Sequence, residues 1–205
     1  MGSRVLSPQS SVLSPDFPYA VGTIREELTW KPALYRKGRW IFEKPRSGIE
    51  RFKFPAPVGP QQIFSTIHSE TATLPLSFPS LREASFKIGF PDEIIRAALS
   101  PSIVHRPLSI DGSTKVASSD CEITLALVRG NSGGKRVQRQ AYCKVMSSEG
   151  HSAGDWDTVW PPAIVSCMIA RGEIQQRCVF APERIVPLNA FFERLRAIGF
   201  SFVRH

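Results

Sequence analysis

What this chain lacks narrows its chemistry before anything else does. No apolar run approaches the ~20 residues that a helix needs to cross a bilayer. Its opening stretch, MGSRVLSPQSSVLSPDFP, holds no continuous hydrophobic segment of the secretory kind. The four cysteines, at 121, 143, 167 and 178, form no C-x-x-C pair, which excludes a zinc ribbon and a dithiol redox motif. Neither G-x-G-x-x-G nor G-x-x-x-x-G-K-[ST] occurs, so the two common phosphate-cradling turns are missing. There is no internal repeat.

What is present fits one globular domain. The chain has 205 residues, 42% of them hydrophobic, enough to bury a core. Ser and Pro dominate 1–21, which reads as a flexible tail, and 22–205 reads as a single domain. The cysteines read as buried free thiols of a reducing, cytoplasmic setting. A net charge of +8 permits anionic partners of several kinds, but the positive residues are spread. Their densest cluster, KRVQR at 135–139, follows a glycine-rich turn and reads as a solvated hairpin tip.

Local pattern predicts strands first and helices later. TIREELTW is helical or turn-like. PALYRKGRWIFEK is a β-hairpin about Lys37-Gly38. Proline and glycine confine 44–60 to short extended pieces such as 51–54. A strand over 61–67 leads into His68-Ser69-Glu70. Residues 82–90 alternate, with Ala84, Phe86, Ile88 and Phe90 on one face of a half-buried strand. Pro91 starts a short helix, 100–119 reads as a loop, and GNSGG joins two long strands. In these, Cys121, Ile123, Leu125 and Leu127 share a face, as do Val137, Ala141, Cys143 and Val145; Glu122, Thr124, Gln138, Gln140 and Tyr142 make a half-polar outer face. Helices follow over 162–171 and 187–198, ended by Gly172 and Gly199, and a strand over 200–203 closes the chain. The fold class is α+β: a mostly antiparallel sheet with helices packed on one face.

Two stretches carry reactive residue types. In TIHSETATLP, a strand continuing through His68 and Glu70 would point both into one pocket. The imidazole could then exchange a proton and the carboxylate could hold an ammonium group. A Ser-His-Glu triad does not follow, because neighbours on a strand face opposite ways, and a metal site lacks a third ligand. The same residues also suit a polar strand end whose side chains satisfy a turn. The second stretch, DWDTVWPP, leads into a helix N-terminus, where free N–H groups attract anions; Trp156 and Trp160 could wall a pocket or fill the core.

Several stretches together resemble the C-terminal part of saccharopine dehydrogenase-like oxidoreductases, a group that includes lysine 6-dehydrogenase and carboxynorspermidine dehydrogenase relatives. They are PALYRKGRW, PVG followed by HSETATLP, LREASFKIGF, and the ending PPAIVSCMIARGEI…APERIVPLNAFFERLRAIGF. The resemblance implies an α+β domain that supplies part of a substrate pocket and a homodimer contact. It implies hydride transfer at a C–N bond of an amino acid or imine-linked conjugate, with NAD or NADP bound by a separate Rossmann domain. By position, His68, Ser69, Glu70 and Thr71 would lie at the substrate cleft, with Thr158 and Trp160 on the same side. No residue here is assigned a catalytic role, and no cofactor or metal is expected on this chain by itself. The cofactor domain is expected from the same gene or another chain.

Two other readings remain. A non-catalytic interaction domain would keep the fold without the chemistry. A basic nucleic-acid-binding module rests on net charge alone, and no strand face interleaves aromatics with Lys and Arg as that reading requires.

Overall fold

A computed structural model describes residues 2–5, 19–101 and 121–204 of the chain. Most of the Ser/Pro-rich stretch, and the loop read at 100–119 except its first two residues, lie outside the described residues. The architecture is mixed α and β.

Turn chemistry fixes both hairpins. Between β2 (Ala33–Arg36) and β3 (Arg39–Phe42), Lys37 and Gly38 take φ of +51° and +80°. Between β8 (Cys121–Ser132) and β9 (Lys135–Met146), Gly133 and Gly134 take +56° and +76°. Two successive positive φ values make the tight turn that matches strand twist. The longer hairpin then pairs without interruption, from Ser132 opposite Lys135 to Cys121 opposite Met146.

This hairpin anchors one end of a seven-stranded array. Its order is β10 (Ser201–Arg204), β9, β8, β1 (Gly2–Val5), β7 (Lys87–Gly89), β5 (Pro60–Ser65), β4 (Glu50–Lys53). Every pairing is antiparallel except β1 with β7. β2, β3 and β6 (Glu83–Ala84) form a separate three-stranded sheet.

Two findings revise the reading of these strands. Gly2–Val5, within the stretch read as a tail, pairs between β7 and β8. The segment 82–90, read as one strand, divides: β6 joins the small sheet beside β2, while β7 joins β5 in the large one.

Register also decides the faces. Directly opposed residues on antiparallel strands point the same way. Thr124 opposes Cys143 and Glu122 opposes Val145, whereas Leu125 opposes Tyr142 and Leu127 opposes Gln140. The apolar residues of β8 and β9 therefore lie on opposite sides of the sheet, and the expected half-polar outer face does not exist as a unit. Each side has its own cover. Cys121, Ile123 and Leu125 pack with Phe54, Val58 and Ile63, contributed by β5 and the loop before it. Val145 and Cys143 face helices α4 (Ala153–Ala170) and α6 (Leu188–Ala197), through Ile164, Met168 and Leu195.

The β5 end of the array is covered by α1 (Val21–Thr29) and α3 (Asp92–Ala98). Ile24, Leu28, Ile94 and Ala98 close over Phe64 and Phe90. α3 begins after Pro91 with Asp92 and Glu93 in its first turn, where the helix dipole favours carboxylates.

Three helices differ from their sequence reading. α2 (Glu70–Ser77) is a helix where a strand end was expected. α4 begins at Ala153, well before 162, capped by Ser152: its hydroxyl accepts from Asp155 N at 3.0 Å, and the Asp155 carboxylate accepts from Ser152 N at 2.9 Å. Pro161 and Pro162 thus sit inside the helix instead of starting it. A short helix, α5 (Pro182–Ile185), follows the loop after α4. Gly172, at φ +73°, ends α4 as expected, with Glu173 N donating to Met168 O at 2.9 Å. Among the described residues no helix is long and apolar enough to cross a membrane.

Candidate functional site

The junction after β5 builds the His68 turn. The strand ends at Ser65, and the buried Thr66 hydroxyl donates to Glu27 O of α1 at 2.6 Å. The chain then turns so that Ser69 precedes the first helical residue, Glu70. His68 and Glu70 are brought together by this turn, and not by a shared strand face. His68 Nδ1 lies against the Glu70 carboxylate, and the Ser69 hydroxyl donates to the same carboxylate at 3.3 Å.

The imidazole stacks on Phe86 with ring centroids 3.8 Å apart and planes 15° from parallel. Burial lowers the pKa of His68 to about 4. Glu70 favours the protonated ring, but its side chain is 51% exposed, so water screens it. Burial wins, and the ring is neutral at pH 7.

Thr71 is 3% exposed, and its hydroxyl and its carbonyl are both occupied. Its hydroxyl donates to His68 O at 2.7 Å, holding the turn. Its carbonyl is the one left without a helical donor by Pro75, which has no N–H. Trp40 Nε1 donates to that carbonyl at 3.1 Å. Thr71 supports the turn from beneath, while Ser69 and Glu70 face water.

Thr158 and Trp160 lie in the second turn of α4. Thr158 is exposed. Trp160 is half-buried, stacked on Trp156 at 5.6 Å, and packed against the α4–α6 core. Trp156 Nε1 donates to Ser148 O at 3.1 Å, fixing the pair. His68 to Thr71 form one cluster, and Trp160 belongs to another.

Two cavities lie near α6. One, of about 430 Å³, is an apolar groove between the Pro161–Pro162 stretch of α4 and the Phe180 to Phe192 segment. The other, of about 270 Å³, lies between α6 and the sheet edge, lined by Thr124, Cys143, Phe192, Phe202, Arg196 and Arg204 among others. Neither is lined by His68, Ser69, Glu70, Thr71, Thr158 or Trp160.

Sequence reasoning missed a half-buried acidic pair. Burial raises the pKa of Asp157 in α4, while its hydrogen bond with Glu122 of β8 acts in the opposite sense. Cys143, close to both, has its thiol pushed up to about 12, chiefly by burial and then by the charges of Asp157 and Glu122. A signal existed. In a helix begun at 153, Asp157 falls on the stripe of Ala153, Trp160, Ile164 and Met168. An acid on an apolar stripe marks a buried, perturbed carboxyl.

The thiols also differ from expectation. All four are free, but Cys167 and Cys178 are exposed, and Cys121 alone is fully buried. Among the described residues no cluster of His, Cys, Asp and Glu could hold a metal ion. The two-residue turns at Lys37-Gly38 and Gly133-Gly134 join antiparallel strands, so neither is the strand-to-helix glycine turn that cradles a dinucleotide. No protein-family model matches the chain, and no curated protein matches it.

Proposed function

We propose that the chain is the substrate-side, dimer-forming domain of a saccharopine dehydrogenase-like oxidoreductase. The enzyme would act at a C–N bond of an amino acid or an imine-linked conjugate, with NAD or NADP held by a nucleotide module outside these 205 residues. One observation supports this reading above others: stretches far apart in sequence that carry the resemblance converge on one turn. HSETATLP supplies His68 and Thr71, LREASFKIGF supplies the Phe86 ring beneath the imidazole, and PALYRKGRW supplies the Trp40 indole that fixes the helix start. Tyr35 of the third stretch opposes Ala84 of the second in the small sheet. A turn that needs no more than polar satisfaction does not require three separate segments to immobilise it.

The turn suits amine chemistry. Burial delivers His68 in its base form, able to take a proton, and the neighbouring Glu70 carboxylate favours the cation once formed. Glu70, half exposed, is also placed to hold an ammonium group. These residues bind and move a proton; the nicotinamide, when bound by its own module, supplies the hydride.

The test uses the natural protein that carries this chain. NAD(P)-dependent turnover of L-lysine and L-saccharopine is measured for the wild type, His68→Ala and Glu70→Ala, with circular dichroism as the fold control. Turnover should fall by at least about 10²-fold in each variant, the usual loss when a positioned acid–base group is removed. Variants that fold and keep wild-type turnover, or a wild type without nicotinamide-linked turnover of either compound, would refute the reading in favour of a non-catalytic interaction domain. Light scattering addresses the dimer separately: a monomer at micromolar concentration contradicts the dimer contact.

A further inference from the structure

The cleft between α6 and the sheet edge has a composition that neither the core nor the His68 turn explains. Its base is made of small side chains, Ala126 and Ala141, on the helix-covered side of β8 and β9. Phe192 of α6 and Phe202 of β10 meet edge-on, centroids 5.0 Å apart at 76°, and form an aromatic corner. β10 is the edge strand, and Phe202 and Arg204 oppose Cys143 and Ala141, so both point to the cleft side. Arg196, in the last turn of α6, places its guanidinium carbon 5.4 Å from the Phe202 centroid.

Two guanidiniums thus border one small cavity. Neither has an acidic partner among the described residues, whereas Arg36 and Arg194 each form an ion pair. Gathering like charges at one place costs energy unless an anion bridges them, and the arginine fork is built for carboxylate and phosphate oxygens. The exposed Thr124 and the half-buried Cys143 also line the cleft, and burial keeps that thiol neutral. Asp157, close to Cys143, has its pKa raised by burial, which weakens its negative charge beside the cleft. A space of about 270 Å³ accommodates a fused-ring or single-ring compound, and no larger ligand.

We infer that the α6–β10 cleft is a binding site for a small aromatic anion, its carboxylate or phosphate held by Arg196 and Arg204 and its ring by Phe192 and Phe202. The site is independent of the His68 turn and stands whether or not the oxidoreductase reading does.

Calorimetric titration of the chain tests it, with indole-3-acetate, its neutral analogue indole-3-acetamide, and phenyl phosphate as probes. At least one of the two anions should bind with a Kd of about 1 mM or tighter and at least about tenfold better than the amide, the margin expected of a charge-assisted bidentate contact. Arg196→Gln/Arg204→Gln, two exposed positions, should remove that margin, and His68→Ala should leave it unchanged. Whichever anion binds more tightly identifies the headgroup. The inference is overturned if neither anion saturates by about 10 mM, if acid and amide bind alike, or if the double variant keeps the preference. Equal binding of acid and amide would place the probe in the apolar groove by Pro161.

Discussion

Helices α2 and α4 both carry proline inside, and they resolve the damage differently. In α2, Pro75 strips the Thr71 carbonyl of its helical donor, and the Trp40 indole replaces it. In α4, Pro161 and Pro162 do the same to the carbonyls of Asp157 and Thr158, and no side chain among the described residues donates to either. The first helix start is locked from three sides and carries its polar residues on a rigid turn. The second leaves those carbonyls without a side-chain donor, close to the half-buried Glu122–Asp157 pair. A proline in a helix therefore has no fixed meaning: the segment packed beside it decides whether the break is sealed or left open.

The sharpest way to break this contrast is through the thiols. If the α4 side were loose enough to admit water to Cys143, that thiol would react like an ordinary one. With its pKa raised from 9.0 to about 12, it should hold about a thousandfold less thiolate at pH 8 and react correspondingly slowly. Cys167 and Cys178 should react fast. Time-resolved labelling with a disulfide reagent, followed by peptide mass mapping, should show two fast sites and protection at 143.

The sealing of α2 is tested next. Trp40→Phe keeps an aromatic ring but leaves the Thr71 carbonyl of a 3% exposed residue without a donor. Stability to urea should drop by about 1–3 kcal/mol, the cost of an unmet buried polar group. A change within experimental error would mean the indole is ornamental.

A smaller effect separates the two regions by the sign of their pH dependence. His68 has a folded pKa of about 4, below the ordinary imidazole value of 6.5. Its contribution is present above pH 6.5 and is lost as pH falls towards 4. Asp157 is shifted the other way, above 3.8. Its contribution is complete below that value and is lost as pH rises through the folded pKa. Relative to wild type, His68→Gln should therefore remove a rise of Tm with pH between about 4 and 6.5, and Asp157→Asn should remove a fall of Tm that begins as pH passes 3.8. Two variants that change the slope in the same sense would contradict the assignment.

The smallest effect concerns the prolines themselves. Pro162→Ala returns a donor to Thr158 O and should raise stability by up to about 1 kcal/mol. Pro75→Ala competes for a carbonyl already bonded to Trp40 and should gain less. Equal gains would erase the difference between the two helices.

Much of this architecture could be read in the chain. Lys37-Gly38 and Gly133-Gly134 announce their hairpins because paired positive φ values demand such residues. The stripes that end at Gly172 and Gly199 announce the later helices. α2 escaped because Pro75 argues against a helix on local grounds, and its rescuer Trp40 is 31 positions away in another hairpin. The start of α4 escaped because Pro161-Pro162 resembles a helix start and Ser152 makes a quieter one. The face assignments failed because register, set at the two-glycine turn, decides which side each residue meets, and a one-residue difference exchanges them. At the site, the residue types were visible; the Phe86 stack, the Glu122–Asp157 pair and the Arg196–Arg204 cleft are products of long-range pairing that no local window contains.

The long hairpin has one more consequence. β1 pairs with β8 only as far as Thr124, and β10 with β9 only as far as Ala141, so among the described residues the distal half of the ribbon pairs with no third strand. Among the described residues, nothing lies within 4 Å of a side chain added at Gly133 or Gly134. A fluorescent reporter or an affinity handle spliced between those glycines would ride outside the sheet, tethered about eight strand positions, or roughly 27 Å, from the last three-strand contact. The chain therefore brings its own attachment point for immobilising or imaging the domain with both cavities left unobstructed.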